Sequence, residues 1–190
     1  MRYYKLDLSP YYNKKLVFSR GKITDDLGND GVGINKRTFF DLNKTVELSG
    51  VDYIFKQKNS MDCIVCDNQN VVFRPTFSNK LHILGFMYWG ANHDFFKLKY
   101  ENGETRNAKV LLNDWSAAHN DLEDPHYIGY TQEKGYITVK TFYSCGKLKL
   151  PLYLHHCECE SPINKKLKAI TFPDNMYMHI MAITLECVNE

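Results

Sequence analysis

The chain has 190 residues, 24 of them basic and 22 acidic, for a net charge of +2. That balance argues against a dedicated nucleic-acid or anionic-membrane binder. No apolar run reaches the roughly 18 residues of a membrane-spanning helix, and the opening Met1-Arg2-Tyr3-Tyr4-Lys5 leads into no apolar signal segment, so a cytoplasmic location is the default expectation, and an extracellular one if a leader has been removed.

Residues 2–8 alternate and read as a first strand. Ser9-Pro10-Tyr11-Tyr12-Asn13 is a turn, and Leu16-Val17-Phe18 a short apolar segment. Residues 21–37 are rich in Gly, Asp and Asn and read as a long loop, a place where function often sits. Val46-Glu47-Leu48 and Val51 to Phe55 give the next strands. Cys63-Ile64-Val65-Cys66 runs into an Asp67-Asn68 turn, and Pro75 closes Val71-Val72-Phe73. Leu81-His82-Ile83-Leu84 is a short apolar run ended by Gly85, as in a sandwich-core strand.

The clearest alternation follows. Phe96, Leu98 and Tyr100 alternate with Lys97 and Lys99, and Ala108, Val110 and Leu112 with Asn107 and Lys109. The Asn102-Gly103 pair suggests a two-residue hairpin loop. Such a loop would set even positions against odd ones and turn apolar side chains to the wrong face. A three-residue loop, Glu101-Asn102-Gly103, keeps the faces matched and places Gly103 in the left-handed conformation. Pairing of Tyr100 with Thr105 would contradict this.

Residues 116–135 are mixed, with room for one helical turn near Ser116–Leu122. Ile137, Val139, Thr141 and Tyr143 alternate, and Leu148, Leu150, Leu152 and Leu154 line one face. Pro151 within that stripe points to an edge strand or a bulge. Residues 169–173 and 178–188 close the chain with further strands. The expected fold is all-β: a single sandwich over 1–190, of jelly-roll type, with about ten short antiparallel strands and little or no helix.

The chemistry is sparse. Cys63, Cys66, His155, Cys157 and Cys159 have ligand types suited to zinc. However, Cys63 and Cys66 would point to opposite faces of a strand, so inert, reduced core thiols are expected. Asp25, Asp26, Asn29 and Asp30 cluster hard oxygen donors in the long loop, and calcium is the cation such a loop would take. The spacing is not that of an EF-hand. His93-Asp94 and Asp114 with His119 are acid–base pairs on paper only, because neighbouring residues on a strand face opposite ways. Tyr88, Trp89, Asn92, His93, Asp114 and Trp115 combine flat apolar faces with hydrogen-bonding groups, the pairing a sugar site uses.

Several short motifs stand in a suggestive order: Asp67-Asn68-Gln69, Leu81 to Gly85, Tyr100-Glu101-Asn102-Gly103-Glu104 and Asp114-Trp115, after an opening Asp7-Leu8-Ser9-Pro10-Tyr11-Tyr12-Asn13. Together they resemble a β-sandwich accessory region attached to bacterial glycosidases. That resemblance implies a galactose-binding-like jelly roll with a non-catalytic role. The leading expectation is therefore a carbohydrate-binding module without enzymatic activity, with the Tyr88 to Trp115 set as its ligand site. The alternatives are an assembly protein that pairs through exposed strands, with itself or a partner protein, and, third, a small hydrolase.

Overall fold

A computed structural model describes residues 2–19, 33–90, 92–116, 136–144 and 150–187. The strands are β1 (Arg2–Lys5), β2 (Val17–Phe18), β3 (Ile34–Asn35), β4 (Thr45–Leu48), β5 (Val51–Ile54), β6 (Ile64–Asp67), β7 (Asn70–Met87), β8 (Asn92–Tyr100), β9 (Thr105–Leu112), β10 (Tyr136–Tyr143), β11 (Pro151–Glu160), β12 (Lys166–Thr171) and β13 (Asp174–Cys187). The one helical element among the described residues is a 3₁₀ turn, Ser9–Tyr11, with proline in its first turn. The fold is an all-β sandwich. Among the described residues, every strand pair is antiparallel except β2 with β3.

One strand belongs to both layers. The first part of β7, Asn70 to Phe77, pairs with β12, which continues through β8 to β9. The second part, Lys80 to Met87, lies between β11 and β13, with β10 outside β11, and β1 and β6 outside β13. The change of sheet falls near Pro75, beside a register irregularity in the β7–β12 ladder. Proline has no amide to donate, and a bulge is where a sheet tolerates it. Proline therefore does not end the strand, as the sequence suggested; it sits where the strand changes partners.

The second part of β7 is buried on both faces. Leu81 and Ile83 join Phe96, Leu98, Val110, Leu112 and Leu185 between the two sheets. Leu84 and Phe86 face the other way, into a second core with Tyr53, Phe55, Phe142, Leu154 and Ala182. The β4–β5 hairpin and the aromatic pair Phe39 and Phe40 cover that side. This accounts for the apolar residues Leu81, Ile83 and Leu84 standing together in one strand.

The β8–β9 hairpin has the expected three-residue loop. Phe96 pairs with Ala108 and Lys99 with Thr105. Tyr100 N–H donates to the Glu104 carbonyl at 2.9 Å, and Gly103 has φ +88°. Face matching outweighs the Asn-Gly preference. Two other expectations need correction. β11 is an interior strand between β10 and β7, and Pro151 is tolerated because it is the first residue of that strand. The loop expected over 21–37 contains β3, whose Ile34 is buried. The helical turn expected after Ser116 lies outside the described residues.

Candidate functional site

The end of β7 is fastened by a segment that runs alongside it. Met87 N–H donates to the Asn113 carbonyl at 2.8 Å, and Trp115 N–H to the Met87 carbonyl at 3.0 Å. These bonds form a parallel bridge between Met87 and Asp114. From the other side, Tyr153 N–H donates to the Trp115 carbonyl at 2.7 Å, and His155 Nε2–H to the Asp114 carbonyl at 2.9 Å. The Asp114-Trp115 pair is thus wedged between β7 and β11.

That wedge treats the two tryptophans differently. Trp115 is 8% exposed and packs against Phe86 and Tyr88, with ring centroids 6.4 and 5.7 Å away. It is a core residue beneath the surface. Trp89 is 78% exposed. The Tyr88 ring meets it edge-on at 5.5 Å, so Tyr88 stands between the two indoles. They do not form the facing walls of a cleft.

Trp89 also has φ +72°, followed by Gly90 at +97°. A left-handed conformation costs a non-glycine residue about 1–2 kcal/mol. Asp114 fixes the turn. Its Oδ2 accepts the Gly90 amide at 2.6 Å, and its Oδ1 accepts the Ser116 amide at 2.8 Å and the Ser116 hydroxyl at 2.5 Å. Asp114 is buried, and these donors are what make burial of a carboxylate tolerable.

The other expected residues are spread around this turn. Asn92 opens β8 opposite Leu112. His93 is exposed, with its ring edge-on to Phe95 at 5.9 Å. Asp94 accepts the Phe95 amide at 2.7 Å and the Asn175 side-chain amide at 3.0 Å. Asp25, Asp26, Asn29 and Asp30 lie outside the described residues, as does His119.

Sequence reasoning missed the contribution of β13. Tyr88 N–H donates to the Tyr177 carbonyl at 2.9 Å, which sets the Met176-Tyr177 corner beside the Trp89 turn. Met176 is 68% and Tyr177 45% exposed. The irregular register between Asn175 and His179 lifts this corner out of the ladder with β6. The segment 174–178 is separated from Trp89 by more than eighty residues, and its sequence carries no signal of that proximity.

Among the described residues the Cys157 and Cys159 thiols adjoin each other by a side-chain hydrogen bond, but the four candidate thiols do not converge on one site. Cys63 lies in the outer core, while Cys66, Cys157 and Cys159 lie between the sheets. Burial drives the Cys63 and Cys66 thiols well above their ordinary range. His155 is engaged by Asp114 and by Thr138. A separate titratable group on the outer face of β7, β11 and β13 also went unseen. His82 Nδ1 faces His156 Nε2 at 3.2 Å, and His82 Nε2 lies 3.1 Å from Glu186 Oε2.

Among the described residues, no helix is long and apolar enough to cross a membrane. No curated protein matches the chain. The family model described as the AziU2-like beta-sandwich domain matches residues 5–188. That description agrees with the β-sandwich half of the resemblance seen in the motifs and says nothing of a galactose-binding likeness or a glycosidase. With nearly its whole length matched and the sandwich described above, the chain belongs to the AziU2-like beta-sandwich domain family.

Proposed function

We propose that this chain is a non-catalytic binding module, that the Trp89 end of the sandwich is its contact surface, and that the partner is a protein. One observation carries the reading: Trp89 is both exposed and held at positive φ. Each feature is unfavourable for the isolated fold, and a glycine at the same place would remove both. Stability therefore does not account for a tryptophan at position 89, whereas contact with a partner does.

The neighbours support a protein over other ligands. Met176 and Tyr177 adjoin the turn, and Phe95 is half exposed on β8. Trp, Tyr, Phe and Met are the residues concentrated at the centre of protein interfaces. The carboxylates at this end, Asp94 and Asp114, are already engaged by internal donors, which suits an apolar contact.

The second reading is a carbohydrate stacked on Trp89, with the polar groups of His93, Asp94 and Asn175 around its rim. The open indole face favours it. In that reading the sandwich is of the galactose-binding jelly-roll type, with calcium in the Asp25, Asp26, Asn29 and Asp30 loop.

The test places a photo-crosslinking amino acid at position 89 and, as a control, at Ile163, which is also exposed. A discrete protein adduct from position 89 alone, lost on Tyr177→Ser, supports the protein reading. Binding on a glycan array that Trp89→Gly abolishes, with no adduct, moves the assignment to carbohydrate. Blanks in both reject this end as the contact surface.

A further inference from the structure

The group around His82 has the elements of a metal centre. In the β7–β11 ladder His82 lies opposite Glu158, and His156 lies one pair along on the same face. In the β7–β13 ladder Glu186 takes the corresponding diagonal place. The three central strands thus bring two imidazoles and two carboxylates together. Both rings are buried, His82 at 4% and His156 at 8% exposure. They stack with centroids 5.3 Å apart, and Tyr3 and Tyr53 stand edge-on against them at 6.1 and 6.3 Å.

We infer that His82 Nδ1, His156 Nε2 and Glu158 Oε2 form a binding site for a zinc-type divalent cation. Zinc–nitrogen bonds of about 2.0–2.1 Å at a tetrahedral angle put two ligand nitrogens about 3.3 Å apart. The two ring nitrogens stand 3.2 Å apart. Glu186 completes the pattern behind them. Its Oε2 accepts a hydrogen bond from His82 Nε2–H at 3.1 Å, and its Oε1 accepts one from the Asn79 side-chain amide at 2.6 Å. A carboxylate on the far nitrogen is the usual partner of a metal-bound histidine; it sets the tautomer that leaves Nδ1 with its lone pair.

Glu158 supplies the third ligand by a side-chain rotation. No three ligand side chains among the described residues already stand in ligating geometry. Glu158 Oε2 lies 3.9 Å from His82 Nδ1, on a side chain that is half exposed and tethered by Lys80 at 2.9 Å from its other oxygen. Closing by about half an ångström reaches the tetrahedral spacing. Two imidazoles with one carboxylate favour zinc over magnesium or calcium, which prefer all-oxygen shells. Solvent reaches the site from the Glu158 side. Bound there, the cation would tie β7 to β11.

The test uses tag-free protein stripped with chelator and titrated with Co²⁺ as the visible probe. The expected result is one Co²⁺ per chain, with the intense visible bands of a tetrahedral site, displacement by Zn²⁺, and a melting temperature raised by Zn²⁺ and not by Mg²⁺. Glu186→Gln should weaken binding by roughly 10–100-fold, and His156→Gln should abolish it. If the histidine variant fails to fold, Glu158→Gln decides, because its side chain reaches solvent. Unchanged Co²⁺ affinity in Glu158→Gln, a weak octahedral spectrum, or no binding by folded wild-type protein would overturn the inference and leave a hydrogen-bonded histidine pair.

Discussion

Asp114 and Gly90, 24 residues apart, are joined by a 2.6 Å hydrogen bond from the Gly90 amide to the Asp114 carboxylate. Through this bond a buried residue beside the core sets the backbone of an exposed one. The same carboxylate takes the amide and hydroxyl of Ser116. Asp114→Ala leaves these donors without their acceptor and should lower the unfolding free energy by about 2–3 kcal/mol. Asp114→Asn should recover only part of the loss, because an amide nitrogen then faces one of the donors. Chemical denaturation of both variants measures this, and an Asp114→Asn variant as stable as the wild type would refute the role of the charge.

Trp89→Gly tests the other side of the same turn. Relief of the left-handed φ favours the variant by about 1 kcal/mol, and the extra freedom of glycine in the unfolded chain offsets part of that. Stability should stay level or rise slightly while partner contact is lost. A loss above about 1 kcal/mol would mean that Trp89 packs as a structural residue.

Gly85 lies in the doubly buried part of β7, opposite His155 and Ile180. A Cβ there would sit 2.2 Å from the His179 carbonyl oxygen and 3.0 Å from Leu112 Cδ1. Backbone cannot give way as a side chain can. Gly85→Ala should therefore cost about 3 kcal/mol, visible as a fall in melting temperature. A change below about 1 kcal/mol would show that β13 moves freely at His179.

Three buried groups set the acid stability between pH 6.5 and 4.5, and Glu186, held low against the effect of burial by its Asn79 and His82 bonds, adds a further loss at lower pH. Burial, reinforced by the neighbouring His82, lowers His156 from 6.5 to about 4. Burial likewise lowers His179 to about 4, where its Nδ1–H donates to the Tyr177 carbonyl. Burial raises Asp62 to about 6, against the pull of its bonds from the Leu16 and Val17 amides. As pH falls from 6.5 toward 4, the unfolded chain protonates both histidines before the folded one does, so stability is lost. Asp62 takes up its proton first in the folded state and opposes that loss below about pH 6. Two protons against one leaves a net loss of about 1.4 kcal/mol per pH unit between pH 6 and 4.5. Asp62→Asn should steepen the decline, and urea midpoints across that range give the slope. A flat profile would contradict the account.

Much of this architecture can be read from local patterns because alternation is a local property. Phe96, Leu98 and Tyr100 carry their inward face in their spacing, and the matching face of Ala108 and Val110 fixes the hairpin loop without any distant contact. The short apolar run at Leu81–Leu84 likewise marks a strand of the sandwich core. What alternation does not encode is which strands meet. Pro151 suggested an edge because an interior strand rarely tolerates proline, yet its place as the first residue of β11 removes the objection. Trp89 and Trp115 are alike in sequence. Their opposite fates depend on the parallel bridge at Met87, formed between segments 27 residues apart. His82 and His156 are 74 residues apart, and only the β7–β11 register brings them together.

The pairing of β1 with β13 has a consequence for how the molecule comes to be made. Arg2 lies opposite Cys187, and Lys5 opposite Thr184. A ribosome delivers the first of these strands long before the last. Throughout that interval β1 has no ladder to join, and β7 lacks its neighbours β11, β12 and β13, so both of its edges are unpaired. Contacts this far apart in sequence are slow to close. The central strands are then an adhesive surface in the nascent chain, and final closure of the sandwich waits for the last strand to leave the exit tunnel.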